Sequence, residues 1–363
     1  MTPRRLLAMA ASLPVVVALL AATTSTPASA RPVDDRCLQR APIPASAVAT
    51  ASRLGCSLVG RVVTDGRVSV TVPPPGMSVA GEGVGTHGEA RGLRVTNTGS
   101  RIRVVSEARG SGGRGGGGWY LAPLSTTTGT TTATTTTTTT STITSTTGTI
   151  TPSSPAMIVT QRAGNRPACK DRTFNLEHHK WARSLAYRIN VAKMPGRFRA
   201  KTVLDQIQAA NANMRKGRNT CGKPRLGTPV SQFLGRTTRK PNVSPAGPSC
   251  GRANRNNIVG FGNLPGGLLG WTCYWYIGNR MVGTDMLIDN GPMLATKLSS
   301  SCGNEWDFEG TVTHEWGHAF GLAHTGSGHA NLTMQHLLRP CSTYARTLGL
   351  GDWLGMKKMY GVR

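Results

Sequence analysis

The chain has 363 residues, and its 42 lysines and arginines against 16 acidic residues give a formal net charge of +26. A charge of this size attracts acidic partners, but the basic residues are dispersed and form no long run, so a nucleic-acid partner is not expected. The composition instead predicts a cationic protein that acidic cell-wall polymers would attract, and the length allows more than one folded unit.

The N-terminus has the features of a secretory signal peptide over residues 1–30. Arg4 and Arg5 precede an apolar stretch over residues 6–22, and Ala28 and Ala30 complete an A-x-A cleavage pattern. A membrane anchor is the alternative, but a serine and a proline interrupt the stretch and the cleavage pattern follows it. No second apolar stretch is long enough to cross a bilayer. We therefore expect a secreted protein whose mature chain has no membrane span.

Eight cysteines in an exported chain predict disulfide bonds. Cys37 and Cys56 lie in the N-terminal part and can pair with each other. Six more cysteines can form three bridges in fifteen ways, and they are Cys169, Cys221, Cys250, Cys273, Cys302 and Cys341. None of the eight forms a C-x-x-C pair, which argues against a zinc site built from cysteines.

Residues 31–124 are predicted to form a small β-rich domain with a limited core. Two pairs of segments rich in β-branched residues flank turn signals and predict hairpins, namely residues 58–64 with 67–72 and residues 93–96 with 101–105. Residues 109–118 are glycine-rich and predict a spacer, because no Gly-Lys-Ser/Thr follows to complete a phosphate-binding loop.

A threonine-rich segment, residues 125–155, separates this region from a second domain over residues 156–363. The segment has no periodic apolar face, so burial cannot offset the entropy cost of ordering it, and we expect a disordered linker. In the second domain, β-branched and aromatic segments predict strands over residues 185–190, 257–262, 271–276 and 284–289. Helical spacing predicts helices over residues 200–215, 308–319 and 355–360, and Gly217 is the stop signal of the first.

One stretch of the second domain carries a complete set of groups for metal chemistry. His314 and His318 are four residues apart, which places both imidazoles on one face of a helix. Gly321 lets the chain leave the helix with φ > 0, so that His324 can return to the same point. Three neutral imidazoles with one open position predict a catalytic zinc site. Glu315 beside that position can accept a proton from a water molecule.

The full pattern, H-E-x-x-H-x-x-G-x-x-H, resembles the metzincin zinc endopeptidases, in which a Met-turn follows the helix. Met334 lies downstream of His324, where such a turn would be expected. The order of strand, helix, strands and motif helix is similar to the family's upper subdomain, and residues 352–361 resemble the end of matrixin-like secreted bacterial peptidases. The resemblance implies a metzincin-like α+β catalytic domain with a twisted mixed sheet, an active-site helix and a Met-turn.

The resemblance also implies a chemistry and a class of partner. A secreted endopeptidase of this kind uses Glu315 as general base and holds one Zn²⁺ through His314, His318 and His324. Its partners would be protein or peptide substrates, bound as an added strand along residues 257–262 or 272–276, and we expect a monomer. The alternatives are a cationic cell-wall-associating protein and a zinc hydrolase directed at peptidoglycan.

In front of a protease domain, residues 31–124 would be either a propeptide or an accessory module. Matrixin propeptides block the zinc with a cysteine in a short motif, which the surroundings of Cys37 do not match. Thr325, after the third histidine, fits none of the large subfamilies. His336 stands where some subfamilies carry a tyrosine, and it is either a supporting group or a surface histidine.

The remaining histidines and aspartates give weaker indications. No partner spacing surrounds His178, His179 or His329, so we expect solvated side chains. Calcium is common in related enzymes and stays open here, because no calcium-loop spacing appears around the available aspartates Asp285, Asp289, Asp307 and Asp352. A bridge through Cys302 or Cys341 is expected to tether a loop beside the active site.

Overall fold

The structure is a computed structural model that describes residues 41–87, 92–107, 119–121 and 166–363. The predicted signal peptide, the predicted glycine-rich spacer, the predicted threonine-rich linker and Cys37 lie outside these residues. Within these residues the chain has a mixed α+β fold with several sheets and few helices, so the predicted α+β class is confirmed. No helix in the described part is long and apolar enough to cross a membrane.

The described part before residue 122 contains the helix α1 (Val48–Arg53) and seven strands. The strands are β1 Ile43–Pro44, β2 Val62–Asp65, β3 Val68–Thr71, β4 Met77–Gly85, β5 Leu93–Asn97, β6 Ile102–Glu107 and β7 Trp119–Leu121. Both predicted hairpins are confirmed, because β2 pairs antiparallel with β3 and β5 pairs antiparallel with β6. The sequence does not predict β4, since three glycines weaken its strand propensity.

From residue 166 onward the described chain contains eleven strands and three α-helices. The strands are β8 Asn175–Leu176, β9 Leu185–Ile189, β10 Ser231–Arg236, β11 Val243–Ser244, β12 Ser249–Cys250, β13 Ile258–Gly262, β14 Leu268–Ile277, β15 Arg280–Asp289, β16 Leu294–Ala295, β17 Trp306–Asp307 and β18 Leu322–Ala323. The helices are α2 Ala200–Lys216, α3 Phe308–Ala319 and α4 Leu350–Tyr360. The four predicted strands and the two long helices are therefore confirmed. Gly217 ends α2 with a φ of 66°, and α4 begins earlier than predicted.

The largest sheet has nine strands in the order β10-β9-β13-β15-β14-β4-β5-β6-β7. Strands β10, β9, β13 and β15 run parallel, and β14 is antiparallel to β15. Strand β4 then pairs antiparallel with β14, so N-terminal and C-terminal strands form one continuous sheet. A second sheet, β1-β2-β3-β12-β11, also mixes strands from both parts of the chain.

The two faces of the nine-stranded sheet bury different cores. Alternate residues of β14 show the division, because Tyr274 packs in the core that includes α2 and α3. Trp271 and Trp275 instead pack with N-terminal residues such as Val70 and Val79. In α3 the predicted apolar face is buried, and its members are Val312, Trp316, Ala319 and Phe320. The N-terminal strands therefore cover apolar surface that the chain from residue 166 onward would otherwise expose to water.

Three disulfide bridges lie in the described part, and they are Cys169–Cys221, Cys250–Cys273 and Cys302–Cys341. The second joins β12 to β14 and thereby links the two sheets. The third holds the chain shortly after Leu338, whose backbone contacts β4, in agreement with the expected tether. The predicted pairing of Cys37 with Cys56 falls outside the described residues.

A buried carboxylate ties the start of α4 to the turn that contains Met334. Asp352 is fully buried, and its Oδ2 accepts hydrogen bonds from the backbone nitrogens of Thr333 at 2.7 Å and Gly349 at 2.9 Å. Its Oδ1 accepts a third, from the Met334 nitrogen at 3.1 Å. One side chain thus satisfies three backbone donors of buried residues.

We predict that Asp352→Ala lowers the free energy of unfolding by about 3 kcal/mol or more, since each orphaned buried donor costs about 1–3 kcal/mol. Asp352→Asn is the matched control, because its amide oxygen still accepts from part of the turn, and its loss should be clearly smaller. Urea denaturation of both variants measures the difference. Equal stability of the alanine variant and the wild type would contradict this role.

Candidate metal centre

Helix α3 and the turn after it place three histidines around one point. The side chain of Asp307 caps the helix by accepting a hydrogen bond from the Gly310 nitrogen at 2.7 Å. Gly321 then has a φ of 98°, and a Cβ there would collide with the backbone of His179. This position therefore requires glycine, as the motif predicts. The short strand β18 follows and leads to the third histidine.

The Nε2 atoms of the three histidines converge. They lie 3.0 Å apart between His314 and His318, 3.2 Å apart between His314 and His324, and 3.1 Å apart between His318 and His324. All three side chains are buried. Within the described residues, His314, His318 and His324 form the group that could hold a metal ion. These are the three ligands predicted from the sequence.

Hydrogen bonds on the far side of two rings fix their tautomers. Nδ1 of His314 lies 2.7 Å from the carbonyl oxygen of Thr333, and Nδ1 of His318 lies 3.0 Å from that of Leu322. A carbonyl oxygen only accepts, so each Nδ1 carries the proton and each Nε2 presents a lone pair. Burial and the two neighbouring histidines also hold the pKa of His314 well below its usual range, which keeps the ring neutral.

The arrangement fits a tetrahedrally bound metal ion. Two lone pairs that face each other at 3.0 Å in a buried site repel unless a cation lies between them. Zinc–nitrogen bonds of about 2.0–2.1 Å at tetrahedral angles would separate the nitrogens by roughly 3.3–3.4 Å, close to the spacing found here. The three histidines can therefore hold a metal ion, and the backbone carbonyls behind two of them orient the rings for it.

Met334 packs against α3, the helix that carries His314 and His318. It is buried in a tight turn in which the Gln335 nitrogen donates to the Leu332 carbonyl at 3.3 Å. A Cβ on Gly317 of α3 would collide with the Met334 sulfur, so the glycine lets this turn approach the helix. The Thr325 nitrogen donates to the Met334 carbonyl at 2.9 Å, which joins the turn to the residue after the third ligand.

Glu315 lies on the same helix but outside the histidine cluster. Its Oε2 accepts a hydrogen bond from the Thr272 hydroxyl at 2.5 Å, and its Oε1 accepts one from the Val84 backbone nitrogen at 3.2 Å. Burial raises the pKa of Glu315 to about 7. A Cβ on Gly270 would meet the carboxylate, so β14 passes close to Glu315 only because it carries glycine there.

A second carboxylate, Glu82 of β4, reaches the same site, and the sequence gives no indication of it. Its Oε1 accepts a hydrogen bond from the Tyr274 hydroxyl at 2.7 Å, and its Oε2 lies 3.0 Å from Nδ1 of His318 and 3.9 Å from Nδ1 of His324. Burial disfavours the charged form, but the histidines and the tyrosine outweigh it and lower the pKa of Glu82 to about 2. Glu82 lies in a glycine-rich strand with no motif around it.

Several histidine predictions need correction. The prediction of a solvated His179 is wrong, because its ring is buried and stacks on Tyr276 with 4.4 Å between centroids. His329 is also partnered, with Nδ1 2.7 Å from Oδ2 of Asp171. His178 is exposed, as expected. His336 is half-buried, and its ring lies edge-on to His324 with 6.1 Å between centroids, so it is not a free surface histidine.

The four aspartates considered for calcium have other partners. Asp285 accepts hydrogen bonds from two backbone nitrogens, at 3.0 Å from Asn242 and 2.7 Å from Ile258. Asp289 and Asp352 likewise accept from backbone nitrogens, and Asp307 caps α3 and pairs with Arg346. Within the described ranges, no group with metal-ligand spacing includes them.

Comparisons with known proteins assign no family to this chain. The chain matches no protein-family model, and no curated protein is similar enough in sequence to count as a match.

We predict that the chain binds one Zn²⁺ per molecule and that His318→Ala lowers its affinity for the ion at least ~10²-fold, because one of three ligands and its orienting carbonyl contact are lost. His329→Gln is the control, since it removes an imidazole outside the cluster and should leave the affinity unchanged. Calorimetric titration of the metal-free chain with Zn²⁺, checked by metal analysis, measures both. Equal affinity of wild type and His318→Ala would contradict the assignment.

Proposed function

We propose that the protein is a secreted zinc-dependent endopeptidase with a metzincin-like catalytic domain over residues 156–363. The observation that carries the proposal is the convergence of the Nε2 atoms of three buried histidines. The buried Glu315 lies beside them, on the helix that carries His314 and His318. The turn at Met334 beneath that helix supports it, as does the glycine-dependent exit at Gly321. Together these features supply metal ligands, a base and a rigid support.

Strand β14 is the element best placed to bind a peptide substrate. Strand β13, the other candidate from sequence, lies between β9 and β15 and has no free edge. Strand β14 passes directly beside Glu315 through Gly270 and Thr272, and its edge away from β15 is paired only with β4, a strand of the N-terminal region. A substrate added to β14 as an antiparallel strand would bring its backbone to the base.

The residues divide the chemistry among them. Zinc, when bound by His314, His318 and His324, polarises a carbonyl and lowers the pKa of water. Glu315 accepts a proton from the attacking water as the new C–O bond forms, and then passes it to the leaving nitrogen of the peptide, so that the C–N bond breaks and the amine leaves neutral. The pKa of about 7 that burial gives Glu315 suits both proton transfers near neutral pH. The Thr272 hydroxyl holds the carboxylate in place.

The net charge of +26 is compatible with more than one natural substrate. A cationic enzyme would accumulate on acidic cell walls, where either wall proteins or peptidoglycan cross-links could be its substrate. Casein and purified cell walls, assayed in parallel, separate a general endopeptidase from a peptidoglycan hydrolase.

We predict that Glu315→Gln lowers the rate of peptide hydrolysis at least ~10²-fold while zinc stays bound, since a general base contributes about that factor. Glu309→Gln on the same helix is the matched control, because Glu309 pairs with Arg346 and accepts from Asn213, away from the histidines. Its rate per folded molecule should stay close to wild type. Undiminished hydrolysis by Glu315→Gln would refute the mechanism.

A further inference from the structure

The backbone edge of β14 that a substrate needs is already occupied in the intact chain. Strand β4 pairs antiparallel with β14 along nearly its whole length, from Met77 opposite Ile277 to Gly85 opposite Leu268. The other edge of β14 is paired with β15. A peptide can therefore add to β14 only after β4 has left.

The end of β4 is held from its other side as well. The Gly85 nitrogen donates to the His336 carbonyl at 3.3 Å, and the Leu338 nitrogen donates to the Gly85 carbonyl at 3.3 Å. Residues 336–338 run parallel to β4 and directly follow the turn at Met334. Strand β4 thus lies between β14 on one side and the segment after the metal centre on the other.

Two residues of β4 contact the proposed catalytic groups. The Val84 nitrogen donates to Oε1 of Glu315 at 3.2 Å, so a backbone amide occupies an oxygen of the base. The Glu82 carboxylate lies 3.0 Å from Nδ1 of His318 and accepts from Tyr274 of β14. The strand therefore reaches both the base and the back of one metal ligand.

Glycines allow this close approach. A Cβ on Gly83 would collide with the Gly270 carbonyl and the Trp271 backbone of β14, and a Cβ on Gly81 would meet the Trp271 ring. Strand β4 is therefore fitted to this cleft by its sequence as well as by its backbone.

We infer that β4 is an internal blocking strand, which fills the peptide-binding cleft of the proposed protease and keeps the intact chain latent. The inference rests on the proposed function and extends it to regulation. It favours a propeptide over an accessory module for the N-terminal region. The blocking element would be the strand β4 with its carboxylate Glu82. Its occupant is a segment of this chain, bound as the substrate would be, with its backbone antiparallel to β14.

Activation would then follow a cut between the two parts of the chain. Residues 122–165 connect β7 to the described C-terminal part, and the bridges described there all join residues from Cys169 onward. After a cut, β4 would be held by noncovalent contacts alone, which are hydrogen bonds, apolar packing and the ion pairs of Glu82 and Arg94. Loss of the covalent tether removes its effective concentration at the cleft, so dilution should release it.

The test places a site-specific protease sequence within residues 125–155 of the full chain. We expect the uncut chain to hydrolyse casein slowly and the cut chain to gain at least ~10-fold in specific activity when diluted from micromolar to nanomolar concentration. Hydrogen exchange of residues 268–277 should rise in parallel, since the β14 amides lose a partner. Glu315→Gln in the same background should abolish the gain in hydrolysis and leave the gain in exchange.

A point variant tests the same contact without a cut. Gly83→Ala forces β4 away from β14 and should raise both the activity and the exchange of the uncut chain. Gly85→Ala is the matched control, because its Cβ would lie 3.3 Å from the Gly267 carbonyl and needs only a small adjustment. Thermal melting of both variants confirms that they are folded.

The outcomes separate the two proposals. Equal activity in the uncut, cut and Gly83→Ala chains, all abolished by Glu315→Gln, would overturn latency and leave the protease standing. Residues 268–277 that stay protected in the diluted cut chain and in Gly83→Ala would show that β4 is a permanent part of the sheet, which also overturns latency. No hydrolysis by zinc-loaded chain whose β14 exchanges freely would overturn the proposed protease itself.

Discussion

The arrangement of the whole site depends on three buried imidazole Nε2 atoms that converge on one point, two of which turn lone pairs toward each other. The lone pairs of His314 and His318, 3.0 Å apart, gain nothing from each other, so the surrounding chain must hold them there until a cation fills the centre. The carbonyls of Thr333 and Leu322 do this by fixing the protonated nitrogen of two rings. The Thr333 carbonyl belongs to the turn at Met334, and the Leu322 carbonyl belongs to β18, which pairs with β8.

Support for the centre extends outward in connected steps. The Thr333 carbonyl is part of the turn at Met334, and Asp352 holds that turn through backbone donors. Asp352 also binds the first turn of α4, so the closing helix is coupled to the orientation of His314. Arg346 pairs with Asp307 and thereby braces the N-terminus of α3. The metal centre is therefore supported by carboxylates at two places, Asp307 at the N-terminus of α3 and Asp352 at the turn that contains Met334.

The second organising constraint is the edge of β14. A strand edge with unpaired amide and carbonyl groups binds whatever extended chain is nearest, which is the requirement for a protease that grips peptide backbone. In this chain the nearest extended segment is β4, and it also covers Trp271 and Trp275 on the face away from the helices. The proposed blocking of the cleft and the burial of an apolar face would thus both depend on the same N-terminal strands. Release of those strands would expose both surfaces at once.

Local patterns in the sequence determined those structural features that depend on residues close together in the chain. The spacing of His314 and His318, the glycine exit at Gly321 and the periodicity of α2 and α3 depend on residues close in the chain, and all are present as predicted. The two N-terminal hairpins follow from turn signals in the same way. Only the tertiary structure decided the positions of β4 and Glu82, because β4 is glycine-rich and becomes a strand through pairing with residues nearly two hundred positions away. The burial of His179 likewise results from a stack on Tyr276 of β14, a long-range contact that no local pattern announces.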